Sequence, residues 1–422
     1  MFVDEGYGKL SVENSKVSIG WVFDCLEKNC DSFKKAKGDY KVLKLETRDI
    51  SDGKGYLSKV YISTVHFDGD ESKTYQFIIK IPGLESIDKL HDEQPDAIEI
   101  DEVINCETVC KFHNQEWMFY TKTAKEIVGL KAPSCYGGCE AVPNEKDGCL
   151  VMKFLSPTSA NIPFFQTFNI YQAKSVLNEI MKLQVFSLTD GKHWKSKYTS
   201  MFTRKLLASM TQSINTGFRF FEEFCPKEMF DEVEDDFKIL ISKYEDIGSY
   251  AVENLIDSSG KNSVLCHGDL WSNNIMFELD SEKRFTNNVE AIIDWQTVFE
   301  GSVGSDIARF IVLGCSPEVR REIEVSYFPV YFKELKKKVM DKGGIFDMTF
   351  EEFVNAYDFC MIDQSFHTIL MMWLNLHKVE NSSDEDAYLW EARKFSLAFK
   401  VYFALKDAFK RVRKVKPEWL KN

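Results

Sequence analysis

The chain has 422 residues, of which 53 are basic and 66 acidic, giving a formal net charge of -13. A field of that sign repels polyanions, which argues against a nucleic-acid partner and requires any phosphate site to be built locally from lysine or a metal ion. A hydrophobic fraction of 44% with 34 phenylalanines excludes a disordered chain and supplies core for two lobes.

In chain order, residues 17 to 36 read as a helix, and two or three strands follow between about 40 and 82. Between strands, Asp52-Gly53-Lys54-Gly55-Tyr56-Leu57-Ser58 reads as a turn. Its glycines permit close backbone approach to phosphates and Ser58 offers a hydroxyl donor; a plain hairpin turn is the alternative. Phe77-Ile78-Ile79-Lys80 is an apolar run ending in lysine, and the acidic interval from Asp88 to Glu99 reads as an exposed loop. Helical spacing then brings Phe112, Phe119 and Tyr120 near one another, with Glu116 on a nearby face. Gly148 to Leu155 is an apolar strand leading into Ser156-Pro157.

From about residue 156 the pattern is mainly helical, with Ile170 to Leu188 followed later by Glu318 to Asp341, Phe350 to Leu376 and Asp384 to Val412. The most apolar stretch, Ile369 to Leu374, is too short to span a bilayer and reads as a core helix. The basic run Lys410 to Lys416 suits a solvated helix C-terminus. Eleven cysteines, an odd count, and no signal-peptide pattern at Met1 to Gly6 point to a reduced, cytoplasmic protein. The pairs Cys106/Cys110 and Cys135/Cys139 raise the question of zinc, but buried free thiols are the preferred reading.

The chemistry concentrates at His267-Gly268-Asp269-Leu270-Trp271-Ser272-Asn273-Asn274, followed 25 residues after Asp269 by Asp294, at the end of the apolar pair Ile292-Ile293. Asp269 suits the orientation and deprotonation of a hydroxyl. Asn274 and Asp294 supply the hard oxygens that suffice for Mg2+ when phosphate oxygens complete its shell. Phosphoryl transfer needs mainly this kind of positioning and charge neutralisation, so the spacing points to transfer from a magnesium nucleotide.

The stretch from Cys266 to Asn274, with Ile293-Asp294-Trp295-Gln296 and Gly304-Ser305-Asp306-Ile307-Ala308-Arg309, resembles the choline-kinase-like branch of the protein-kinase-like superfamily. Within it the resemblance is nearest to the ecdysteroid-kinase-like group, especially its nematode members. That resemblance implies an α+β, bilobal protein-kinase-like fold: a strand-rich nucleotide-gripping lobe over residues 1–150 and a helical lobe over 151–422 carrying the catalytic loop and acceptor site. It implies ATP and Mg2+ as cofactors, with Lys80 on the phosphates, Glu116 as its partner, and Gly53, Gly55 and Ser58 over the phosphates. Asp269 is then the catalytic residue, Asn274 and Asp294 are the metal ligands, Asp306 braces the loop from below, and His267 packs. The adenine would be met by backbone near Met152 to Leu155.

Asp306 follows Asp294 by only 12 positions, too few for a regulated activation segment and a peptide platform, and Gly268 stands where regulated protein kinases carry arginine. The expected activity is therefore transfer to a hydroxyl of a small metabolite: an amino alcohol, a steroid-like molecule or a xenobiotic. Acceptor contacts would be drawn from Tyr357, Phe359, Asp363, Phe366, Trp373 and Trp390, although aromatics on long helices are more often core. A pseudokinase serving as a binding module and an aminoglycoside-type phosphotransferase are the alternatives. An acidic acceptor pocket would mark the latter, an aromatic one a steroid-like acceptor. Oligomeric state is left open.

Overall fold

The computed structural model describes residues 10–51, 57–69, 73–84, 104–189, 193–256, 262–376 and 384–421. It divides into two compact units, the first comprising Met1–Glu126, Ala132–Ser159 and Ala291–Gln296, the second Ile127–Lys131, Ala160–Glu290 and Thr297–Asn422.

The first unit is built on a five-stranded sheet in the order β1-β2-β3-β5-β4. Its strands are β1 (Val42–Asp49), β2 (Ser58–Phe67), β3 (Thr74–Pro82), β4 (Cys135–Cys139) and β5 (Cys149–Lys153), and every pairing is antiparallel. Period-2 alternation decides its faces: Phe77, Ile79 and Ile81 of β3 join Tyr61, Val65 and Phe67 of β2 in one apolar layer. Against that layer pack Val22, Phe23 and Leu26 of α1 (Ile19–Asn29) and Phe33 of α2 (Asp31–Lys37). The same alternation turns Lys80 to the other face. There the unit carries α3 (Cys106–Thr121), opened by Asn105, whose side chain accepts from the Thr108 amide at 3.0 Å.

The helix expected over 17 to 36 is broken at Cys30, whose backbone is extended (φ -121°, ψ 96°) and whose buried thiol lies 3.0 Å from the Tyr75 hydroxyl. Burying that thiol against β3 takes precedence over helical continuity.

The second unit is mainly helical. In chain order it holds α4 (Ile170–Thr189), α5 (Arg204–Glu222), α6 (Lys227–Ile241), α7 (Tyr244–Ser249), α8 (Ser305–Gly314), α9 (Pro317–Glu322), α10 (Phe328–Asp341), α11 (Phe350–Leu376) and α12 (Asp384–Val415). From Tyr357 to Leu370 α11 is buried on every side, which makes it the central helix of this unit. Its buried Asp358, Asp363, Gln364 and His367 therefore need internal partners. Two small sheets complete the unit: β7 (Val264–Cys266) paired with β10 (Phe299–Gly301), and β6 (Ser159–Asn161), β8 (Ile275–Leu279) and β9 (Phe285–Ile292), in the order β6-β8-β9.

The helical pattern from Glu318 to Asp341 is interrupted by a π-helical turn at Ile323–Tyr327, just before Pro329. Proline has no N–H to continue the α-helical ladder and crowds the preceding turn, so the wider turn absorbs the misfit.

A strand-rich N-terminal part and a helical C-terminal part are thus both present, as the α+β reading requires. Among the described residues no helix is long and apolar enough to cross a membrane. Gly53, Gly55 and the interval from Asp88 to Glu99 lie outside the described residues.

Candidate active site

In the first unit, Lys80 sits on β3 between Val60 of β2 and Leu150 of β5. Its ammonium lies 2.6 Å from Oε2 of Glu116 on α3 and 2.5 Å from Oδ1 of Asp294. Burial opposes the lysine charge, but the Asp294 and Glu116 carboxylates outweigh it and hold the ammonium above its ordinary range. Burial drives Glu116 upward, further than Lys80 draws it down. Ser58, the first residue of β2, is buried opposite Pro82.

Asp294 follows β9 with φ +65°, the left-handed region that short polar residues tolerate best. Its segment is clamped by Trp295, whose ring stacks on Phe119 of α3 at 3.9 Å and whose Nε1 donates to the Ile292 carbonyl at 2.9 Å. Aromatic packing from the helix that carries Glu116 thereby sustains the backbone that carries Asp294.

In the second unit, the loop from His267 to Asn274 joins β7 to β8. Gly268 has φ +86°, and a Cβ there would lie 2.4 Å from the Thr297 carbonyl oxygen, so glycine is the residue this turn admits. Asp306, buried in the first turn of α8, accepts from the amides of His267 at 2.7 Å and Gly268 at 3.0 Å. Burial pushes its carboxyl up, while His267 and the two amides pull it down. His267 is wholly buried, and its Nδ1 accepts from the Asp269 amide at 3.2 Å, a packing and bracing position. The loop is pinned further by Asn161, whose Nδ2 donates to the carbonyls of Asn273 at 2.7 Å and Ile275 at 3.1 Å.

The Asn274 amide nitrogen donates to the Asp269 carbonyl at 2.8 Å and to its Oδ2 at 3.1 Å, which turns the amide oxygen away from Asp269. The Asp269 side chain retains 27% exposure. Among the described residues no three His, Cys, Asp or Glu side chains gather as a metal cluster. The Asn274 amide oxygen in the second unit and the Asp294 carboxylate in the first are each hard-oxygen donors of the kind Mg2+ takes when phosphates and water complete its shell. Cys106 and Cys110 lie on α3 and Cys135 and Cys139 at the two ends of β4, all as free thiols.

Arg309 is a site residue to which the motif alone assigns no role. It lies on α8, three residues after Asp306, and its Nη2 donates to Oδ1 of Asp269 at 2.6 Å. The i, i+3 spacing on a helix beginning at Ser305 was the available signal.

Of the aromatic pool, Tyr357, Phe359, Phe366 and Trp373 are core residues of α11, and Asp363 is buried among them. Trp390 differs: it is half-buried, edge-on to Phe165 at 4.6 Å, with the Arg393 guanidinium 4.5 Å from its ring centre. The row continues through Phe164, 5.8 Å from Phe165, to Trp271, 5.9 Å from Phe164 and two residues beyond Asp269.

An antiparallel sheet presenting a buried lysine to a helical glutamate, with a braced His-Gly-Asp loop in a helical second unit, defines a protein-kinase-like fold. The chain belongs to the family described as "Uncharacterized oxidoreductase dhs-27" (DUF1679), whose model matches residues 43–409. It is 24% identical over 361 residues to the Caenorhabditis elegans protein "Uncharacterized oxidoreductase dhs-27", covering 81% of this chain and 42% of that one. It thus spans less than half the length of that relative. It is 23% identical over 333 residues to the C. elegans "Uncharacterized kinase-like protein D1044.1", covering 78% of this chain and 83% of the relative. Among solved structures, ADP-bound aminoglycoside phosphotransferase APH(2'')-Ib is similar at 14% identity, 88% and 99% coverage and a TM-score of 0.36. The fold assignment rests on the strand order and side-chain geometry above, not on that distant likeness.

Proposed function

We propose that the chain is an ATP- and magnesium-dependent kinase that transfers the γ-phosphoryl group to a hydroxyl of a small metabolite. The observation that carries this reading is the Asp269 carboxylate, held from two sides by Arg309 and Asn274 yet 27% exposed, on a loop braced by Asp306 and pinned by Asn161. A carboxylate held in place and open to solvent can receive an acceptor hydroxyl, orient it for in-line attack and take its proton.

The other roles follow. Lys80, fixed by Glu116, would grip the nucleotide phosphates, with Gly53, Gly55 and Ser58 over them; a nucleotide-gripping lobe over residues 1–150 and a catalytic and acceptor lobe over 151–422 would follow the two compact units except at 127–131, 151–159 and 291–296. Asn274 and Asp294 would hold Mg2+, which when bound neutralises charge on the phosphate oxygens. The name of the kinase-like relative agrees with this chemistry. The free thiols suit a reducing compartment, which favours the cytoplasm.

For the acceptor, the row Trp271, Phe164, Phe165 and Trp390 favours a molecule with an apolar, ring-bearing body over an aminoglycoside-like polycation. Two cations lie against these rings: the Arg393 guanidinium 4.5 Å from the Trp390 ring centre and the Lys400 ammonium 5.4 Å from that of Phe164. A polycationic acceptor calls for the opposite sign.

The test is transfer from γ-labelled ATP with Mg2+ to a pool of hydroxylated metabolites, comparing the wild type with Asp269→Ala. Labelled product that vanishes in the variant supports the kinase. Tight Mg2+-dependent nucleotide binding with no product across a broad pool moves the weight to a pseudokinase that works as a binding module.

A further inference from the structure

Arg309 is 6% exposed, and a buried guanidinium requires acceptors for its donors. Nη2 donates to Oδ1 of Asp269 at 2.6 Å. Nη1 meets Oε1 of Gln364 at 3.0 Å and Nδ1 of His367 at 3.0 Å, both on α11. Since a guanidinium only donates, Nδ1 of His367 must be the acceptor, and its proton sits on Nε2. Nε2 lies 3.1 Å from the Tyr244 hydroxyl, which in turn donates to Asp363 at 3.4 Å. The Gln364 amide nitrogen donates to the other Asp363 oxygen at 2.7 Å, which fixes its amide oxygen toward Arg309. Burial first, and the Arg309 charge second, hold His367 well below its ordinary value, so it stays the neutral acceptor this arrangement needs.

Arg309 Nε is buried with no hydrogen-bond partner among the described residues; the other members of the network each have one hydrogen-bonding sense, and they converge on Nη1 and Nη2 of a single guanidinium. The result at Asp269 is asymmetric. Oδ1 is committed to Arg309, while among the described residues Oδ2 has only the Asn274 amide nitrogen at 3.1 Å and keeps a lone pair.

We propose that Arg309 is a positioning residue: it fixes the Asp269 carboxylate by Oδ1 and so presents Oδ2 to the attacking hydroxyl, with Gln364 and His367 holding the guanidinium in place. The proposal rests on the phosphoryl-transfer reading above. It requires a fork, not merely a charge, because the guanidinium must bridge Asp269 on one side and α11 on the other. Lysine at this position supplies the charge without the bridge.

The experiment needs no identified acceptor, because water can serve as one: Mg2+-dependent ATP hydrolysis is measured for wild type, Asp269→Asn, Arg309→Gln, Arg309→Lys and the Asp269→Asn/Arg309→Gln double variant. Gln364→Ala, which removes one holder and keeps the fork, guards against a general folding defect, and thermal unfolding is followed for all. Arg309→Gln is expected to lower kcat about 10- to 100-fold, the loss of one charged hydrogen bond, with the KM for ATP unchanged. Arg309→Lys falls between it and wild type, Gln364→Ala loses less than Arg309→Gln, and the double variant is no slower than Asp269→Asn alone. If Asp269→Asn abolishes hydrolysis while Arg309→Gln leaves kcat intact, or if the two losses multiply in the double variant, the positioning role is overturned and the kinase reading stands. If Asp269→Asn hydrolyses ATP as fast as wild type, the kinase reading fails and this role with it.

Discussion

Nζ of Lys80 and Oε2 of Glu116 stand 2.6 Å apart with side-chain exposures of 8% and 1%, so the ion pair is made almost wholly out of water. Replacing Glu116 by glutamine keeps the shape and removes the charge, and Asp294, 2.5 Å away on the other side, still pairs the ammonium. The fold should survive, while the lysine loses the partner that aims it along α3. The expected loss is about 1.5–3 kcal/mol of transition-state stabilisation, or roughly 10- to 150-fold in kcat/KM for MgATP. Steady-state kinetics of Glu116→Gln checks this, and an unchanged kcat/KM removes Glu116 from the nucleotide machinery.

That pair was readable through the resemblance, and periodicity supplied only its setting: an apolar run of β3 ending in Lys80, and helical spacing that puts Glu116 near Phe112, Phe119 and Tyr120 on α3. Local periodicity cannot supply what depends on distant chain. Arg309 stands in a quoted motif, but its meaning comes from Asp269, 40 residues away, and from Gln364, 55 residues away on another helix. The break at Cys30 was equally hidden, because the apolar pattern runs on through it, whereas Pro329 was a local signal for the turn at Ile323–Tyr327. The Asp306 brace was readable only through a resemblance, since nothing in its own neighbourhood says which amides it accepts.

Gly268 offers a test of the catalytic-loop backbone. Any side chain there pays for a left-handed conformation, about 1–2 kcal/mol, and must also displace the Thr297 carbonyl that a Cβ would approach to 2.4 Å. Overpacking of that kind adds about 1–3 kcal/mol. Gly268→Ala should therefore lose about 2–5 kcal/mol in urea unfolding and lower turnover, because the displaced loop carries Asp269. A variant as stable and active as wild type contradicts the turn geometry.

The aromatic row beyond Asp269 separates acceptor from nucleotide. If Trp390 contacts the acceptor, Trp390→Ala should raise the acceptor KM about three- to tenfold, in line with the roughly 0.5–1.5 kcal/mol of an aromatic contact, and leave the KM for ATP alone. Equal effects on both constants, or on neither, would return Trp390 to the ordinary surface of α12.

Lys400 gives the clearest pH signature. Its ammonium is buried on α12, donating to the Leu313 carbonyl at 2.9 Å, and burial lowers its pKa from 10.5 to about 8, against a small opposing pull from Cys315. The unfolded chain thus binds more protons than the folded one between about pH 8 and 10.5, so this group's contribution to stability rises with pH across that window. Below pH 8 both states are protonated and the full penalty, on the order of 3 kcal/mol, is present. Lys400→Met keeps the length and removes the charge, at the cost of leaving the Leu313 carbonyl without this donor. At pH 7 the variant should be more stable than wild type by about 2 kcal/mol. That advantage should shrink as pH rises toward 10, where wild-type Lys400 is neutral in the folded state. Buried tyrosines and cysteines titrate in both proteins and cancel from the difference. Urea unfolding of the two proteins at pH 7 and pH 10 measures it directly: a gap that stays constant, or widens with pH, would mean that Lys400 is not carried as a buried charge.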